Sequence, residues 1–190
     1  MIKIGILGEI GSGKSYISKN FGYPVFNADH EVGKIYQENK KVYFKLKKIL
    51  PKHFQSFPIQ KKDVLKAILN NKKNLKKIIK IVHLEIQKKL KIFLRKNNHQ
   101  KIVILDIPLL LENRINKKND ILIFVDSKKK EIEKRLKKRK NFNIKLIKIF
   151  RKIQLPLDLK KKKSHFVIKN DFKYKSIRKD IKMILREILK

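Results

Sequence analysis

Eight residues near the N-terminus carry the strongest chemical signal in the chain. Gly8-Glu9-Ile10-Gly11-Ser12-Gly13-Lys14-Ser15 has the spacing of a phosphate-binding loop: a glycine, four residues, then Gly-Lys-Ser. The pattern has a physical reason. Glycines admit positive φ, so successive backbone N–H groups can converge on one phosphate. A helix continuing through Tyr16 to Phe21 would add the positive end of its dipole. Lys14 is then expected to set a point charge over the β- and γ-phosphates, and Ser15 to offer its hydroxyl to Mg²⁺. The expected nucleotide-binding residues are Gly11, Ser12, Gly13, Lys14, Ser15 and Tyr16, with Lys14 also catalytic. A glycine-rich turn between strand and helix is the plain alternative. The apolar run Ile2 to Leu7 just before the loop and the helix just after it favour a nucleoside triphosphate site.

Four further positions carry groups suited to the same chemistry. Asp29 follows the short apolar run Val25-Phe26-Asn27. A carboxylate at a strand end beside such a loop can orient an acceptor hydroxyl and take its proton; it can also simply cap the next helix. Asp106 follows Ile102-Val103-Ile104-Leu105, where P-loop enzymes place a carboxylate for the Mg²⁺ shell, though a turn residue before Pro108 would look the same. Arg135 and Arg139 are four apart, on one face of an expected helix. There they would donate to phosphate oxygens or stack on adenine, or form only a solvated basic face. The run Lys160 to Lys163 reads as surface.

These groups need a frame, and the punctuation of the chain supplies one. Strands are expected at Ile2–Leu7, Val25–Asn27, Ile102–Leu105, Ile121–Val125 and Phe166–Ile168. Between them lie helical patterns. One opens at Ala28 with Asp29 near its N-cap and runs through Tyr36, and an amphipathic piece spans Val42 to Leu50 before the breakers Pro51 and Pro58. Gln60 to Lys96 reads as one long helical stretch, striped by Leu75, Ile78, Ile79, Val82, Ile86, Leu90 and Phe93. Leu109 to Asn113 reads as a loop with a short helical turn. Lys128 to Lys138 reads as helix, Asn141-Phe142-Asn143 as its break, and Ile144 to Ile153 as another helix. Ile177, Ile181, Ile184 and Ile188 mark the last one. Strands alternating with helices predict an α/β fold whose parallel sheet is covered on both faces, with ligands at the carboxyl ends of the strands.

Composition sets the class. A chain of 190 residues suits one α/β domain, and 42% hydrophobic residues support a core despite 36% charged ones. The absence of cysteine excludes a disulfide framework and thiolate metal sites, and fits a cytoplasmic protein. The N-terminus does not read as a signal peptide, and no run approaches the roughly 20 apolar residues of a membrane span. Fifty-two Lys+Arg against 16 Asp+Glu give a net charge of +36, which raises the question of a nucleic-acid partner. The lysines are interleaved with Ile and Asn along the whole chain rather than gathered in an arm, which favours a general compositional bias.

Several segments taken in order resemble the dephospho-CoA kinase family over essentially the whole chain. They are Gly8 to Ser15, Asn27-Ala28-Asp29, Val82-His83, Leu105-Asp106-Ile107-Pro108-Leu109-Leu110-Leu111-Glu112, Arg135-Leu136 with Arg139, Gln154-Leu155-Pro156-Leu157, and Phe166-Val167-Ile168-Lys169-Asn170. The resemblance implies a nucleotide-kinase-like P-loop fold: a five-stranded parallel sheet flanked by helices, in a single domain. Its core would span residues 1–38, 99–134 and 164–190, with a helical acceptor-binding region at about 39–98 and a lid at about 135–163. It implies transfer of phosphate from MgATP to the ribose 3′-hydroxyl of dephospho-CoA, so the expected partners are small molecules, with no membrane and with nucleic acid disfavoured despite the basic charge. By the same resemblance Asp29 is the base and binds the acceptor, His83 contacts it, and Pro108 and Leu109 shape its pocket; the plain alternative for His83 is that it only flanks the apolar stripe beside Ile79 and Ile86. Arg139 closes on ATP, and Asn170 helps hold the adenine. Two positions depart from the family pattern: Asn27 replaces the first carboxylate of an Asp-Ala-Asp element, and Leu84 stands where a proline is usual. Another small P-loop kinase of nucleosides or nucleotides would share the loop and lid but has no reason to carry the Leu105–Glu112 and Gln154–Leu157 segments together. A nucleic-acid-binding P-loop protein is the third reading, for which only the charge speaks.

Overall fold

In the computed structural model, which describes residues 1–139 and 142–190, all five expected runs become strands. They are β1 (Ile2–Gly8), β2 (Val25–Asn27), β3 (Ile102–Asp106), β4 (Ile121–Asp126) and β5 (Phe166–Lys169). They pair in parallel in the order β2-β3-β1-β4-β5. Ile4 lies opposite Ile104 on one side and Ile121 on the other, so β1 is the central strand. β1 thus marks the point where the chain switches the direction in which it adds strands. Such a point opens a crevice at the carboxyl ends, where open α/β sheets bind ligands.

The helices in chain order are α1 (Lys14–Asn20), α2 (Ala28–Glu38), α3 (Lys40–Ile49), α4 (Lys61–Asn70), α5 (Lys73–Lys96), α6 (Lys129–Lys137), α7 (Ile144–Lys152), α8 (Leu157–Lys162) and α9 (Tyr174–Ile188). The chain divides into two compact units. One contains residues 1–27, 97–143 and 151–190; the other contains residues 28–96 and 144–150. Residues 28–38 and 144–150 therefore group with the helices of the second unit, whereas the sequence placed them with the core and the lid.

The sheet unit buries β-branched residues on both faces, as a parallel sheet requires. On one face Ile4, Ile6, Ile102, Ile104, Ile123, Val125 and Ile168 pack with Ile17 and Phe21 of α1 and with Ile177, Ile181 and Ile184 of α9. On the other, Leu110 occupies the space that a side chain at Gly5 would need.

The helical unit buries the expected stripe of α5, including Leu75, Ile78, Val82, Ile86 and Leu90. Helices α2, α3 and α4 all pack on α5. The stretch from Gln60 to Lys96 is two helices rather than one. Asn71 takes an extended backbone, its Oδ1 accepts the Lys73 N–H at 2.9 Å, and the Asn74 amide donates to Ala67 O at 2.9 Å. Asparagine offers the backbone a local partner that competes with a continuous helix. Helix α6 ends at Lys137, so Arg139 lies beyond it. Phe142 and Asn143 are non-helical, as expected, and Asn141 lies outside the described residues. Among the described residues no helix is long and apolar enough to cross a membrane.

Candidate active site

The phosphate loop is shaped by its glycines. Gly8 leaves β1 at φ 144°, where a Cβ would come within 2.8 Å of both Ser12 Oγ and Val125 O. Gly13 caps α1 at φ 93°, a left-handed conformation that costs side-chain-bearing residues energy. Lys14 opens α1 and turns back over the loop, donating to Glu9 O at 2.8 Å and Gly8 O at 3.2 Å. Ser15 and Tyr16 are exposed on the first turn of α1. The backbone donors, the cation and the helix N-terminus are thus gathered at the carboxyl end of the central strand, an arrangement suited to a polyphosphate.

The loop is held from behind. Ser12 O accepts two side-chain hydrogen bonds, from Asn170 Nδ2 at 2.7 Å and from Ser127 Oγ at 3.0 Å. Asn170 is only 3% exposed, and its Oδ1 accepts the Phe172 N–H at 2.8 Å. Its amide is therefore seated against the phosphate loop, a contact not expected from the sequence. Phe172 has φ 63°, and the Arg135 guanidinium lies over its ring, 4.3 Å from the centroid. Arg139 does not share a helical face with Arg135, because the helix stops at Lys137 with Lys138 as its C-cap. Arg151, which sequence reasoning passed over, pairs with Glu9 of the loop at 2.5 Å, and its Nε is buried without a hydrogen-bond partner. Only an arginine among lysines marks it in the sequence. Ser127 and Phe172 carry no signal at all, since their roles depend on where β4 and β5 end.

At the end of β3, Asp106 is 3% exposed and lies in register with Asn27 of β2. The Asn27 amide donates to Asp106 Oδ2 at 2.6 Å. The departure at position 27 thus supplies a donor where a second carboxylate would face the first. Beyond Asp106 the chain forms the expected turns, with Pro108 and Leu109 half-buried. The segment ends at Glu112, whose Oε1 accepts the Leu155 N–H at 2.9 Å and pairs with Lys160 Nζ at 2.7 Å. Lys160 also donates to Gln154 Oε1 at 3.3 Å. Lys160 is not a surface residue: it is 1% exposed, the buried member of an otherwise exposed lysine run on α8. The segments Leu105–Glu112 and Gln154–Leu157 are therefore tied directly by the Leu155 N–H and, through Lys160, by the ion pair to Glu112 and the hydrogen bond to Gln154.

The second unit holds the remaining candidates. Asp29 lies within the first turn of α2, one residue past its start, and is exposed. It is thus inside the helix rather than at its cap, where a carboxylate still favours the positive end of the dipole. Burial works against the charge of Glu31 in the same turn, yet Lys89 at 3.2 Å and Lys34 at 3.4 Å hold its carboxyl below the usual carboxylate range. Lys89 belongs to α5, so this pair fixes α2 against the helix that carries His83. Burial lowers the pKa of His83, and its Nε2 is buried without a hydrogen-bond partner.

A divalent cation would find hard oxygen donors at Ser15 and Asp106. Among the described residues no three His, Asp or Glu side chains form a metal-holding group. The donor set fits a Mg²⁺ carried mainly by nucleotide phosphates, which needs few protein ligands.

Comparison with known proteins decides the lineage. The family model described as dephospho-CoA kinase matches residues 2–176. The chain belongs to the dephospho-CoA kinase family. It is 34% identical over 170 residues to the dephospho-CoA kinase of Wolbachia sp. subsp. Brugia malayi, covering 87% of each chain. It is 27% identical over 192 residues to that of Bartonella henselae, covering 98% of each. A solved Thermus thermophilus structure superposes with a TM-score of 0.76 at 25% identity, covering 98% of this chain and 97% of that one. The solved dephospho-CoA kinase of Campylobacter jejuni shares the fold, with a TM-score of 0.63 at 24% identity over 98% and 96% of the chains. A shikimate kinase from Acinetobacter baumannii, 14% identical with a TM-score of 0.52 and covering 100% of this chain and 93% of that one, shares only the wider P-loop kinase architecture.

Proposed function

We propose that the chain transfers the γ-phosphoryl group of ATP to the ribose 3′-hydroxyl of dephospho-CoA, giving coenzyme A and ADP. The observation that carries this reading is a family match running from the phosphate loop into α9. The loop binds the phosphates through Gly11 to Ser15, and Lys14 neutralises charge on the β- and γ-oxygens. Asp29 orients the acceptor hydroxyl and takes its proton. His83, Pro108 and Leu109 contact dephospho-CoA. Burial lowers the pKa of His83, which favours a neutral ring that can share a hydrogen bond through Nε2. Mg²⁺, held by Ser15, Asp106 and the phosphates, would offset the charge on the transferred group. Tyr16 and Arg139 bound the nucleotide, with Arg139 in a region that closes over it. The enzyme is cytoplasmic in this reading, and its substrates are small molecules rather than nucleic acid.

The test is an acceptor panel. Purified protein with MgATP is offered dephospho-CoA, adenosine, uridine and nucleoside monophosphates, and product is resolved chromatographically. Phosphorylation of dephospho-CoA far above the others is expected, and Lys14→Ala should abolish it without unfolding the chain. Transfer to a nucleoside monophosphate alone would overturn the reading.

A further inference from the structure

We propose that Asn170 is a positioning residue for the nucleotide, acting through the Ser12 carbonyl with Ser127 as its second. The inference rests on the reading of the loop as the ATP site. The Ser12–Gly13 peptide is planar and trans, so fixing the direction of the Ser12 carbonyl also fixes the Gly13 N–H, which points the opposite way. With two donors holding that carbonyl at 2.7 Å and 3.0 Å behind the loop, the Gly13 N–H is presented on the phosphate side. Such a clamp has something to prevent. Gly13 has no Cβ and sits at φ 93°, so rotation of this peptide meets little steric resistance. A Cβ at Gly13 would come within 2.5 Å of Asn170 Nδ2, which shows how closely the amide is seated against the loop.

The clamp also reaches the other wall. Asn170 Oδ1 accepts the Phe172 N–H at 2.8 Å and so supports Phe172 at φ 63°, a conformation that bulky residues seldom adopt. Arg135 stacks on that ring. One buried amide thus joins the loop that takes the phosphates to the turn that carries Phe172, on whose ring Arg135 of α6 stacks. Preorganised donors of this kind strengthen binding because their orientation is set before the ligand arrives.

Three variants separate this role from a merely structural one. Asn170→Asp keeps an acceptor for the Phe172 N–H but cannot donate to Ser12 O. Ser127→Ala removes only the second donor. The double variant removes both. MgATP affinity is read by equilibrium titration, alongside KM for each substrate and the melting temperature. Asn170→Asp is expected to weaken MgATP roughly tenfold or more, with the dephospho-CoA KM within about twofold. Ser127→Ala should cost a few-fold, and the double variant more than the product of the two, since each donor covers for the other. The proposal is overturned if Asn170→Asp binds MgATP like wild type, or if both KM values rise together with a fall in melting temperature. Because nucleotide binding is read directly, a chain that binds MgATP yet leaves dephospho-CoA unphosphorylated would remove the assigned acceptor and leave this test intact.

Discussion

At the scale of single residues, the acid at position 29 and the amide at position 27 illustrate opposite uses of similar side chains. Asp29 lies in the first turn of α2 and is exposed, so Asn at that position preserves its size while removing charge and basicity. Loss of a favourable dipole contact costs about 0.3–1 kcal/mol, whereas loss of a positioned base costs roughly 10²–10⁴ in rate. Asp29→Asn is therefore expected to lower kcat by about 10²-fold or more, with the melting temperature and ATP affinity nearly unchanged. Turnover within a few-fold of wild type would mean that Asp29 only stabilises the helix. Asn27 behaves the other way. Its amide donates to Asp106 at 2.6 Å across the β2–β3 register. In Asn27→Asp the donor becomes a second carboxylate, and a part-buried hydrogen bond becomes a like-charge contact. A loss of about 1–3 kcal/mol is expected, visible as a lower midpoint in urea near neutral pH; an unchanged midpoint would show that the strand ends relax to separate the two groups.

At the scale of elements, the strands and the long amphipathic helices were legible because burial imposes a period on the sequence. Ile102–Leu105 and Ile121–Val125 are apolar throughout because both faces of the sheet are covered. Helix α8 was not legible, since four consecutive lysines look solvated whatever their backbone does. Nothing local distinguishes Lys160 from Lys161; only the folded position of Glu112 makes one buried and leaves the other exposed. The same holds for Asn170 and Ser127, whose partner is a carbonyl more than a hundred residues away. Such sites have no sequence period to betray them. The Lys160–Glu112 pair makes a prediction at this scale. Lys160→Met leaves the Glu112 carboxylate buried without its cation, and breaking a buried pair on one side costs about 3–5 kcal/mol. Adding Glu112→Gln should recover part of the loss while keeping an acceptor for the Leu155 N–H. Equal melting temperatures for Lys160→Met and wild type would show that the pair is solvated after all.

At the scale of the whole molecule, the excess of +36 is the feature that fold and site leave unexplained. Exposed lysines occur on nearly every helix, among them Lys41, Lys47, Lys62, Lys76, Lys130 and Lys182. A positive field spread in this way attracts any polyanion and steers small ones to the loop, raising association rates without recognising a sequence. The two proposed substrates are both anions, so the effect should appear in encounter rather than in chemistry. Raising NaCl from roughly 50 to 500 mM shortens the screening length from about 14 to 4 Å. Over that range kcat/KM for ATP and dephospho-CoA is expected to fall severalfold, with kcat changing little. Duplex DNA added at about 150 mM salt should then leave turnover unaffected. A DNA affinity that falls steeply and linearly with log salt, with Kd below about 10⁻⁶ M at that salt, would instead mark the lysines as a nucleic-acid surface. In that case the charge would be a second function, and the interleaving of lysine with Ile and Asn would no longer account for it.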